Sequence, residues 1–307
     1  MVRLLFDEAV GGRPRSGPDR ARLTRFLDRE FDGEPGLARE FPLLLAPHNL
    51  DRSWVYERDG QIVAHAVWRP LTLLSGERRI GAAGIGLVTT ARDWRGRGLA
   101  SQLVGHCLAG ARRAGTELVV LFAPARSLYT RLGFVPAGRE LLSWTRAAAP
   151  VPSGARVRRG GPLEAPKLLS LLERHRLRVE RSVEEFASLL GIPGVCCHLV
   201  ERGSDVVAYC VEGKGRDLRG VIHEWAGDPQ ALAGLFAAIT ARRPAPLPVL
   251  SPETSPPPGC EPGGVQALAQ LRILDPGRLG ENDAVRLFGD PGSPARLPIY
   301  VWGLDSI

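Results

Sequence analysis

The chain has 307 residues, 44% hydrophobic, 24% charged and 6% aromatic, with a formal net charge of +7. That balance excludes a wholly disordered chain, and the length predicts two domains or one large one, either able to bury a sizeable core. No apolar run approaches the roughly 18–20 residues of a membrane span, and Asp7-Glu8 bring acid too early for a signal peptide, so a cytoplasmic protein with no membrane partner is expected.

In chain order, the first half predicts strands at Val2–Phe6, Trp54–Arg58, Ile62–Leu74, Arg79–Thr90, Leu118–Ala123 and Phe134–Thr145. Helices are predicted at Arg20–Phe31, Gly36–Leu45, Gly98–Ala114 and Ala125–Leu132. Leu99, Leu103, Cys107 and Ala111 recur every four residues and give the third helix one apolar stripe, with Gly115 just past its end. Consecutive strands on short turns imply a largely antiparallel sheet with a crossover at that helix. The fold class is therefore mixed α/β, a mostly antiparallel central sheet flanked by helices.

A break in composition at Ala147–Gly154 divides the chain into 1–146 and 155–307. The second part carries an echo of the first. Val55–Val67 and Val200–Val211 both read as strand, polar turn, strand, with Glu57-Arg58 matching Glu201-Arg202 at one offset. Arg131-Leu132 is echoed by Arg286-Leu287, and the stretch Pro244–Gly264 between the echoes reads as a surface loop or insertion. Order and spacing together favour a duplicated domain.

The five cysteines, Cys107, Cys196, Cys197, Cys210 and Cys260, show no metal-ligand spacing, so free buried thiols and no metal are expected. Lys167 and Lys214 are the only lysines among 40 basic residues, and the excess charge lies wholly in residues 1–150. Neither a basic run interleaved with aromatics nor a helix-turn-helix is present, which argues against nucleic acid and leaves room for a small anionic ligand.

The segment Gly86–Ser101 is where chemistry concentrates: a strand end, a turn rich in Gly and Arg, then a helix start. A helix N-terminus offers unpaired N–H groups and partial positive charge, glycine lets backbone approach a ligand, and arginine adds charged contacts. Together they suit a phosphate or pyrophosphate. A P-loop is excluded because no lysine is present. A dinucleotide fingerprint fails because Ser101 stands at the third glycine and Glu117 precedes its strand instead of ending it.

Arg95-Gly96-Arg97-Gly98-Leu99-Ala100 fits every position of the coenzyme A loop of the GNAT N-acetyltransferases, Arg/Gln-x-x-Gly-x-Gly/Ala. Downstream, Tyr129-Thr130-Arg131-Leu132-Gly133-Phe134 resembles that family's tyrosine–x–x–leucine–glycine–phenylalanine motif. The chain thus resembles the GNAT superfamily, specifically over 86–136, and the layout of 121–129 resembles acetyltransferases of the enhanced-intracellular-survival type. Those carry a degenerate second GNAT half, in line with the echo, and a sterol-carrier-like third domain for which residues 244–307 are too few.

The resemblance implies a tandem GNAT fold using acetyl-CoA as cosubstrate. Arg95, Gly96, Arg97, Gly98, Leu99, Ala100 and Ser101 would hold the pyrophosphate, and Val88, Thr89 and Thr90 the pantetheine arm and the acetyl carbonyl. Tyr129 would protonate the departing thiolate, whose basicity matches that of a phenol. Arg92 and Arg126 could assist the phosphates, though a solvated role is more usual. The strand Ile80–Gly86 lacks the carboxylate that many members use as base. His65 is one candidate, His106 reads as structural, and the Ile307 carboxylate or Asp305 is another, by likeness to relatives whose chain end enters the site. The acceptor is expected to be a small primary amine. A peptide N-acetyltransferase and a non-catalytic acyl-CoA sensor are the alternatives.

Overall fold

The computed structural model describes residues 15–31, 36–123, 126–147, 149–279 and 299–306. Val2–Phe6, Arg286-Leu287 and Ile307 lie outside the described residues. The first half runs β1 (Arg15–Ser16), α1 (Arg20–Glu30), α2 (Leu37–Glu40), β2 (Ser53–Arg58), β3 (Gln61–Ser75), β4 (Arg78–Thr90), α3 (Leu99–Arg113), β5 (Leu118–Leu121), α4 (Arg126–Arg131) and β6 (Val135–Trp144). The second runs β7 (Ala155–Gly160), α5 (Ala165–Leu172), β8 (Leu177–Val179), α6 (Val183–Leu190), β9 (Cys196–Arg202), β10 (Asp205–Glu212), β11 (Ile222–Gly227), α7 (Pro229–Thr240), β12 (Pro248–Pro252), β13 (Glu261–Ile273) and α8 (Pro276–Leu279). No helix among the described residues is long and apolar enough to cross a membrane.

The described strands form one mostly antiparallel sheet in the order β1-β2-β3-β4-β5-β13-β6-β12-β11-β10-β9-β7, with β8 on the far end of β3. The parallel pairs are β4–β5 and β11–β12, and a long helix, α3 or α7, crosses over between the members of each. Both echoed segments become corresponding hairpins, β2–β3 and β9–β10. The halves then exchange strands: β13 pairs with β5 and β6, while β6 pairs with β12.

Period-two alternation in β3 explains the layers. Ala64, Ala66 and Trp68 pack with the α3 stripe of Leu99, Leu103, Cys107 and Ala111 on one face. Val67 packs with Leu23, Phe26 and Leu27 of α1 on the other, and the register shift between β2 and β3 brings Ile62 to that face as well. The largest apolar cluster joins both halves, from Leu73 and Ile80 to Phe186, Tyr209 and Trp302.

Two expectations change. Gly36–Leu45 is a four-residue helix followed by turns, without the longer helix the spacing suggests. Pro244–Gly264 is not simply a loop, since it holds β12 and the start of β13. Pro248 and Pro252 sit at the ends of β12, and Pro262 lies at a register shift, positions where a missing N–H interrupts no ladder.

Candidate active site

β4 pairs with β5 only from Ala82–Gly84 against Leu118–Val120. Beyond that β5 stops at Leu121 while β4 continues to Thr90, so the two strands part. Register between β3 and β4 shifts at the same level, where Leu87 takes φ 51°, a left-handed conformation unusual for leucine. His65 lies beneath this bulge. Its Nδ1 is 2.9 Å from the Leu87 carbonyl, and it has no solvent exposure. Burial lowers its pKa to about 4. His65 is therefore packed directly behind Leu87, one of the residues that line the cavity described below, without itself lining it, and its burial disfavours the charged ring.

Val88, Thr89 and Thr90 are half-buried along the parted edge of β4. A short turn, Arg92–Trp94, leads to the exposed loop Arg95–Gly98. Gly96 and Gly98 take φ 77° and 76°, where any other residue is strained, and the space beside each is open. Gly98 is the N-cap of α3, and no side chain caps this end. The N–H groups of Leu99, Ala100 and Ser101 therefore have no intrahelical partner. Two of the arginines brace the loop: Arg95 Nε donates to the Thr90 carbonyl at 3.0 Å, and Arg97 donates to the Asp93 carbonyl at 3.2 Å while its guanidinium lies 4.6 Å over Trp94.

Tyr129 lies on α4, 6% exposed, in the apolar cluster that holds Leu99 and Leu103 of α3, edge-on to Phe134. Gly133, at φ 77°, turns the chain back so that the Phe134 N–H reaches the Tyr129 carbonyl at 3.0 Å. The two motifs thus meet in space. Burial raises the Tyr129 phenol pKa, which keeps it protonated and able to donate. His106 stacks on Trp54 with centroids 4.5 Å apart, on the flank of α3.

The second half meets the same place differently. The N-terminus of α7 is capped by its own Asp228, whose carboxylate accepts from Ala231 N–H at 2.8 Å, and Pro229 removes a further donor. The equivalent of the coenzyme loop is closed by an anion.

Between the halves lies a cavity of about 360 Å³. It takes Leu87 and Phe122 from the parting ends of β4 and β5, Glu140 from β6, Lys214 and Arg216 from the β10–β11 turn, and Ser306. Residues 299–306 are held firmly. Tyr300 donates to Glu140 at 3.0 Å, Trp302 Nε1 to the Leu177 carbonyl at 3.0 Å, and Lys214 Nζ to the Leu304 carbonyl at 3.0 Å. Asp305 is 2% exposed and accepts two hydrogen bonds from Arg181, which also grips Glu224. Burial opposes the Arg181 charge, but Asp305 and Glu224 outweigh it and hold its pKa well above the ordinary value. Asp305 is thereby committed to an internal ion pair and is not placed to act as a base.

Glu140 is the residue of this cavity that sequence did not single out. It stands in Val135–Trp144 next to Arg139, which does pair outward, with Glu253. The available signal is a lone acid in an apolar strand directly after the tyrosine motif.

Residues 19–137 match the family model described as Acetyltransferase (GNAT) domain. An uncharacterized N-acetyltransferase of Streptomyces coelicolor is 31% identical over 136 residues, and the match covers 42% of this chain and 33% of that protein. The chain thus spans only about a third of the curated relative it matches. Three solved structures share the fold. A GCN5-related N-acetyltransferase from Kribbella flavida has a TM-score of 0.67 at 23% identity, covering 93% of this chain and 76% of that one. Eis1 from Mycobacterium abscessus gives 0.60 at 17%, covering 85% and 74%. A tandem GNAT protein from the clavulanic acid biosynthesis pathway gives 0.51 at 14%, covering 85% and 97%. Residues 19–137 are thus similar to a GNAT acetyltransferase domain, in a chain whose fold is shared with solved GNAT structures, a tandem GNAT protein among them.

Proposed function

We propose that the chain moves an acetyl group from acetyl-CoA to a primary amine of a small molecule seated between its halves. The observation that supports this most is the uncapped start of α3, entered through Gly96 and Gly98, beside the parting of β4 and β5. The N–H groups of Leu99–Ser101 hold the pyrophosphate, with Arg95 and Arg97 adding positive charge. The edge Val88–Thr90 takes the pantetheine arm, and backbone donors there stabilise the oxyanion as the amine attacks the thioester carbon. The C–S bond breaks, the thiolate takes the Tyr129 proton, and the nitrogen loses its own to give the amide.

The cavity's volume of about 360 Å³ favours a small acceptor over a peptide. On this reading residues 1–146 carry the coenzyme, and residues 155–307, with α7 capped by Asp228, wall the acceptor pocket.

The test is thermal stabilisation by acetyl-CoA alongside thiol release with a panel of amines. Tyr129→Phe is expected to keep acetyl-CoA binding and lose about a hundredfold in turnover. Tight acetyl-CoA binding with no turnover on any amine would replace the enzyme by a sensor.

A further inference from the structure

Glu140 is 9% exposed and opens into the cavity between the halves. Its Oε1 accepts from the Tyr300 hydroxyl and its Oε2 from the Gln266 amide, each at 3.0 Å. Both donors are neutral, and the described residues supply it with no ion pair. A buried carboxylate with only neutral partners is costly, because the low-dielectric surroundings do not repay its lost hydration. Burial accordingly raises its pKa, against the pull of those two hydrogen bonds.

The other charged groups of the cavity differ. Burial raises the pKa of Glu40, but the charges of Arg216 and Lys214 beside it pull the other way. Lys214 is itself taken up by the carbonyls of Gly303, Leu304 and Ser306. With Asp217 also on the lining, three carboxylates, Glu40, Glu140 and Asp217, face two cations, Lys214 and Arg216, so the cavity wall carries one net negative charge. The rings of Phe31, Phe41 and Phe122, all half-buried, lie on the apolar part of the same lining.

We propose that the occupant of this cavity is an amine with a single ammonium on an aryl or alkyl body, its nitrogen held by the Glu140 carboxylate and its body among the phenylalanines. An ammonium supplies the missing counter-ion at a charge-assisted hydrogen bond. A polycation would bring more positive charge than the cavity leaves unmatched. The identity of this ligand as acceptor rests on the acetyl-transfer reading, whereas its binding does not.

The experiment is calorimetric titration of the full chain with 2-phenylethylamine, 2-phenylethanol and spermidine, with and without CoA. The amine is expected to bind saturably and more tightly than the alcohol and spermidine. Glu140→Gln should weaken the amine by roughly tenfold or more and leave the alcohol unchanged. Glu140→Asp, which keeps the charge, should retain part of the affinity, and melting curves check that both variants fold. Equal binding of amine and alcohol, preference for spermidine, binding of none of the three, or an unaltered amine affinity in folded Glu140→Gln each overturns the proposal. Acetyl-CoA is titrated into the same samples, so failure there strikes the transferase reading alone.

Discussion

Burial fixes the protonation of several side chains before any ligand arrives. His65 and His223 have no solvent exposure, and each faces a backbone carbonyl, that of Leu87 or of Gly213. Burial holds both near pKa 4. Their folded values lie below the unfolded one of about 6.5, so the unfolded chain takes up protons first as pH falls. The stability each contributes is complete above pH 6.5 and is lost as pH drops toward 4. Stability measured by denaturant melts should therefore fall from pH 7 to pH 5. In His65→Gln the slope against pH should be shallower by about one proton. An unchanged slope would mean that the ring is already charged in the fold. Glu140 works in the opposite sense, since its raised carboxyl pKa favours the folded state as acid is added.

At the level of elements, α3 joins two tasks. Leu99, Leu103, Cys107 and Ala111 anchor it, while the exposed Gly98 sets the direction of its first turn. Gly98→Ala places a Cβ at φ 76°, which costs about 1 kcal/mol of backbone strain. No neighbour is touched, so the fold should survive. Acetyl-CoA affinity should drop, by about tenfold or more, as the three N–H groups turn away. Undiminished affinity in titrations of this variant would place the pyrophosphate elsewhere. This loop was readable from sequence because all its determinants lie within a few residues: Gly96, Gly98 and the start of the apolar stripe. The turn at Gly133 that sets Tyr129 against Phe134 was readable for the same reason. Glu140 was not, because its significance depends on Phe122, Lys214 and Tyr300, which only the folded chain brings near it. The burial of His65 was hidden for a related reason, since a histidine in a strand does not disclose which carbonyl will cover it.

For the whole molecule, the sheet's continuity is the governing fact. Strand type and order of the two hairpins could be inferred from their echo, but the choice of partners could not. Nothing local tells Val135–Trp144 to lie beside Pro248–Pro252, or Glu261–Ile273 to lie beside Leu118–Leu121. Further links add to the exchange: Arg69 of β3 reaches Glu185 of α6 at 3.3 Å, and β8 pairs with β3. The two halves should therefore melt in one cooperative transition by calorimetry, with acetyl-CoA shifting all of it. Residues 1–146 expressed alone should expose the β5 edge and be aggregation-prone, and a soluble, monomeric, acetyl-CoA-binding fragment would refute this. The interleaving also bears on biosynthesis. A nascent chain that has cleared the ribosome as far as Trp144 cannot close its first sheet, because the filler strand is still untranslated. The growing polypeptide must keep a naked hydrogen-bonding edge until Ile273 emerges, and chaperone cover is most needed in that interval.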